Sequence, residues 1–134
     1  MQSLIRILAI PALALATATA SAATGALADY SDCYRTASSR SATLDCLKRE
    51  VKGLKASHAQ ATTRLADALR NAGTKKAATN VATATKAFEK YVAEECNWIE
   101  AGAGGDSSAA TLACQANLYR VRLGLLQAQG AAIR

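Results

Sequence analysis

From Leu44 onward, apolar or small residues recur at positions 44, 47, 51, 54, 58, 61, 65, 68 and 72, in alternating steps of three and four. That spacing puts one stripe along an amphipathic helix with a coiled-coil-like seam, and it predicts a long helix over about 43–71. Ser41 or Thr43 can cap its start, and Asn71-Ala72-Gly73 supplies the glycine on which helices end in a left-handed turn. A second stripe, Ala78, Val81, Thr85, Phe88, Val92 and Ile99 with Cys96 beside it, predicts a helix from near Thr74 to just before the glycines of 101–105. Asp106, Ser107 and Ser108 offer caps for a third, whose expected stripe is Leu118, Val121 and Leu125 with Cys114 one turn earlier, stopping near Gly130. Residues 29–40 are polar and short, and they suit a helical turn held down by Cys33. No run alternates apolar and polar residues with β-branched enrichment, so strands are not expected. The pattern predicts an all-α fold: a small antiparallel three-helix bundle with a short N-terminal helical segment. In it all four cysteines gather at one pole.

The chain start follows a different pattern. One positive charge at Arg6 precedes an apolar run from Leu4 to about Leu15, and small residues follow. This is the layout of a secretory signal peptide, and the run is shorter than the roughly 20 residues of a membrane-spanning helix. Ala26-Leu27-Ala28 is the preferred cleavage site, with Ala20-Ser21-Ala22 as the alternative. Tyr30-Ser31-Asp32 before Cys33 lacks the apolar and small residues of a lipoprotein signal. The expectation is therefore a cleaved segment, 1–28, followed by one domain, 29–134, free in the periplasm or secreted.

That division changes how the composition is read. The 51% apolar content owes much to the leader and to alanine, so the mature core is thin and gains from covalent support. An even set of four cysteines in an exported chain supplies it as two disulfides. Cys33, Cys46, Cys96 and Cys114 contain no C-x-x-C, which excludes zinc-ribbon, thioredoxin-like and haem-attachment readings on spacing. Three pairings are possible. Local pairing, Cys33 with Cys46 and Cys96 with Cys114, is preferred, since it closes short loops each contributing about 3 kcal/mol.

Without Arg6 the formal charge of +6 falls to +5, a modest excess. Lys48, Arg49, Lys52 and Lys55 form a basic cluster interrupted by Glu50, which suits a solvated helix face. An alternative role for it is contact with anionic polymer or lipid, in an envelope-associated interaction module. Nucleic acid is not an expected partner.

Catalytic chemistry finds little support. His58, the sole histidine, sits on the first seam, and pairing consumes the thiols. Adjacent Glu94 and Glu95 point about 100° apart on a helix and cannot flank a substrate as an acid/base pair. The glycines of 101–105 have neither a following P-loop lysine nor a preceding strand. The expectation is a protein that is not an enzyme and carries no cofactor or metal.

The stretch Ala87-Phe88, Tyr91, Glu95, Cys96, the later Cys114, Leu118 and Arg122, and the front pair Cys33 and Cys46-Leu47 together resemble the LprI-like lysozyme inhibitor family. The resemblance spans most of residues 29–134. Phe88 stands where the family usually has Trp, and Val92-Ala93 where it usually has an Arg-Asp pair. What the resemblance implies is a small exported helical domain that binds and blocks a lysozyme-type peptidoglycan hydrolase. Common lysozymes are basic, so the contact surface is expected among acids at the cysteine pole: Asp32, Glu94, Glu95 and Glu100, with Trp98 beside them. Glu94 and Glu95 are alternatively expected to pair across helices with Lys48 and Arg49.

Overall fold

A computed structural model describes residues 32–102 and 107–133; the expected leader and cleavage sites lie outside them. The described residues form four helices: α1 (Asp32–Thr36), α2 (Arg40–Asn71), α3 (Lys75–Gly102) and α4 (Ser107–Ala132). The chain is all-α, and the three long helices form the bundle that the periodicity predicts. Successive long helices are antiparallel, which leaves α2 and α4 parallel. Leu47 shares a cluster with Ala109, His58 meets Tyr119 edge to face, and Leu65 lines a cavity with Leu126, so these pairings advance together along both helices.

The cap of α2 differs from the expected one. Ser39, extended at φ −155° and ψ 163°, is the N-cap, and its Oγ accepts from Ala42 N at 3.2 Å. Thr43 is already inside the helix, donating its hydroxyl to Ser39 O at 3.1 Å. The N-terminal position is therefore set by a serine two residues before Ser41, where an extended backbone lets the side chain reach forward.

At the other end the glycine reading holds. Gly73 has φ +79°, Thr74 N donates to Leu69 O at 2.9 Å, and Gly73 N donates to Arg70 O at 3.0 Å. This pair of bonds is a Schellman closure, which satisfies carbonyls that the helix end leaves open. A Cβ at Gly73 would meet no neighbouring atom, so the cost of one lies in the backbone alone. Gly73→Ala is expected to destabilise the fold by about 1 kcal/mol, measured by calorimetry or urea unfolding. An unchanged midpoint would mean that the turn relaxes out of the left-handed region.

The core is built around the two disulfides. Cys33–Cys46 and Cys96–Cys114 are bonded, with Cα atoms 5.6 and 5.8 Å apart, and the described residues contain no free cysteine. The first bond packs with Leu47, Ala109, Leu44 and Leu112. The second packs with Val92, Tyr119, Phe88, Leu54 and Leu118. Both lie in the half of the bundle where α2 and α4 begin and α3 ends. The opposite half buries Leu65, Ala66, Ala78 and Leu126. It has no cross-link.

Two parts of the expected core are corrected. Val121 and Leu125 of the expected third stripe are 51% and 52% exposed, and the buried residues of α4 are Ala109, Thr111, Ala113, Ala116, Tyr119 and Leu126. α4 touches two neighbours and so has two inward faces. Cys114 and Leu118 turn toward α3, whereas alanines at helical spacing let the backbone of α4 come close to α2. Val121 and Leu125 lie on neither strip and face outward, while Arg122, Leu126 and Gln129 continue beside α3. Tyr91 of α3 is half exposed as well.

Candidate functional site

Trp98 and Tyr91 lie seven residues apart on α3, which puts them on the same helix face. Trp98 is 63% exposed and Tyr91 49%, beside the fully buried Cys96. Glu94 lies on the same stretch, exposed, with its carboxylate 3.6 Å from Lys90 Nζ one turn earlier. This in-helix pair replaces the expected cross-helix one, since Lys48 pairs weakly with Asp45 at 4.0 Å instead. The spacing of four residues brings Lys90 and Glu94 together on one helix, and neither must span the gap to α2. Glu95 is half-buried. The side chain of Glu100 lies outside the described ones. Asp32 is elsewhere: it pairs with Arg35 on α1 and lines a groove to which α3 contributes no residue. The expected acidic set is therefore divided between two surfaces.

That groove, about 480 Å³, runs between α1, α2 and α4, with Glu50, Ser57 and Arg120 among its walls. A second cavity of about 290 Å³ shares Ser57 and continues along the same two long helices toward Arg64 and Gln127. The Arg120 side chain is only 9% exposed and forms an ion pair with Glu50. Gly53 lines the same groove on the α2 side. Glu50 Oε2 is also 3.7 Å from Cys33 Sγ; a disulfide sulfur carries no proton, so this is a packing contact and not a hydrogen bond. Neither Glu50 nor Arg120 stands out in the sequence, where Glu50 only interrupts a basic run. The alanine stripe Ala109, Ala113, Ala116 was the available signal, because a close helix approach carries Arg120 into the interface.

At the centre of the bundle, one ring from each long helix meets the other two. His58 of α2 is 5.1 Å from Phe88 of α3 and 5.3 Å from Tyr119 of α4, and Phe88 and Tyr119 are perpendicular at 5.3 Å. His58 is 1% exposed, and neither ring nitrogen has a hydrogen-bond partner among the described residues. Burial holds its pKa below the ordinary 6.5; Glu89 opposes that shift and Arg122 adds to it. Burial, with Glu89, also raises the Tyr119 hydroxyl above its ordinary range. Lys55 Nζ sits 5.9 Å from the Tyr119 ring and the Arg122 guanidinium 5.7 Å from the Phe88 ring.

His58 is sealed among rings, and the described cysteines are bonded. Among the described residues no three His, Cys, Asp or Glu side chains gather closely enough to hold a metal ion. No helix among them is long and apolar enough to cross a membrane. What the surface offers is contact, chiefly the aromatic and acidic face of α3. In comparisons with known proteins, no family model, no curated protein and no solved structure matches this chain.

Proposed function

We propose that the chain is an exported binding protein that docks on a lysozyme-type peptidoglycan hydrolase and blocks it, without chemistry or cofactor of its own. The observation that carries this reading is the outward face of α3, where Trp98 and Tyr91 stand exposed beside Glu94 and a disulfide. Large aromatic residues on a stiff support are the usual anchors of a protein interface. The Cys96–Cys114 bond holds this support, so little ordering cost falls on association. A basic enzyme meets carboxylates there even though the chain as a whole carries net positive charge. The resemblance to LprI-like lysozyme inhibitors supplies the class of partner.

The test is a cell-wall turbidity assay of lysozyme with excess oxidised protein, paired with a binding titration. Inhibition is expected, with Trp98→Ala weakening it about 30-fold, as for a central anchor. Undiminished lysis together with no complex in the titration would reject the reading for the enzyme tested. The exposed cations Lys48, Arg49, Lys52 and Lys55 on α2 favour the alternative, an envelope module that binds anionic polymer or lipid. Vesicle binding that falls steeply with salt and with neutralisation of these residues would favour it instead.

A further inference from the structure

Most of the core of this bundle is apolar, yet its central position holds an imidazole. An interior site so enclosed admits a neutral histidine at some cost and a charged one only with a partner. Among the described residues His58 has no hydrogen-bond partner on either nitrogen, and the Phe88 and Tyr119 rings lie against it. The charged and titratable groups facing this ring cluster come from all three helices: Lys55 from α2, Glu89 from α3, and Arg122 and the Tyr119 hydroxyl from α4. Two cations therefore stand against one carboxylate. The aromatic faces attract a cation, but they do not replace the water and hydrogen bonds that an imidazolium loses.

The position of His58 along the bundle determines what gives way. It lies twelve residues beyond Cys46 on α2, about 18 Å along the axis, on the border between the cross-linked half and the other. Beyond it the buried residues include Thr62, Leu65, Ala66, Ala78 and Leu126, mostly small, with no disulfide among them. We propose that His58 is an acid-responsive lock: on protonation, α2, α3 and α4 part in the half of the bundle away from the disulfides, while the disulfide-bonded half stays closed.

The direction follows from linkage. The unfolded or opened chain has a histidine near its ordinary value, and the closed one holds it lower. The opened chain therefore binds more protons, so closure is fully favoured above about pH 6.5 and is lost progressively as pH falls through and below that value.

His58 is the chain's sole histidine, so its ring protons can be followed alone by NMR in the full oxidised protein. A histidine that titrates in the closed state at or above 6.5 would overturn the proposal. Hydrogen exchange, corrected for the intrinsic pH dependence, reads the opening. Between pH 7.5 and 5.0 the opening constant is expected to rise about tenfold or more for amides at 59–71, 75–87 and 120–132. Amides flanking the four cysteines are expected to stay protected. His58→Leu should abolish the acid response, Arg122→Gln should weaken it by letting the closed state accept the imidazolium more readily, and Glu89→Gln should strengthen it. If His58→Leu does not fold, opposite changes in the other two variants suffice to sustain the proposal. An equal acid response in His58→Leu, no response in the unmodified protein, or opening spread evenly over both halves would each overturn it.

Discussion

Replacing Cys96 and Cys114 together with alanine is expected to lower the unfolding free energy by about 3 kcal/mol and the melting temperature by about 10–20 °C. The bond joins the end of α3 to the first turns of α4 across 18 residues. Without it the denatured chain regains the freedom of that loop. Cys96 is fully buried against Val92, Tyr119, Phe88 and Leu118, so the change also removes a sulfur from the tightest part of a thin core. Thermal unfolding by circular dichroism under oxidising conditions measures the loss. The matching Cys33 and Cys46 double variant is expected to lose less, because that bond ties down only the five residues of α1 across a separation of 13. Equal losses from the two would mean that α1 supports the bundle more than its size indicates. A loss below about 1 kcal/mol for the first pair would mean that packing alone holds α3 to α4.

The second large effect is expected at the Glu50–Arg120 pair. Arg120→Met is expected to cost about 2–4 kcal/mol, since it strands the Glu50 carboxylate in a groove where only 21% of its side chain is exposed. Glu50→Leu combined with Arg120→Met should recover most of that loss, because two apolar groups of similar length fill the same space and leave no charge behind. A double variant as unstable as the single one would assign the effect to the packing of the arginine stem instead of its charge.

These two sites differ in how far they are legible without coordinates. The disulfides and the long-helix seams are local facts. Leu47, Val51, His58 and Leu65 fall on the expected seam of α2, and Ala78, Val92 and Cys96 on that of α3, because a helix with one inward face repeats its apolar residues with its own period. α4 is the exception, and its physical reason is geometric. A helix wedged between two others has two buried strips, one of them alanine, and a search for large apolar residues selects Val121 and Leu125, which are half exposed. Tyr119 and Arg120 were hidden for the same reason. The candidate contact residues divide similarly. Trp98 and Glu94 stand exposed on α3, whereas Asp32 belongs to a groove walled by α1, α2 and α4.

Residue order alone determined the helical class, the helix end marked by Gly73, the even cysteine count, and the amphipathic seams of α2 and α3. Each depends on interactions within a few residues or on chain connectivity. Only the tertiary structure decided which face of α4 turns inward, that Glu50 and Arg120 meet, and that His58, Phe88 and Tyr119 converge on one point without a polar partner for the imidazole. Those features depend on how closely three helices approach and how each is rotated about its axis, and alanine-rich faces leave both open until all three are packed together.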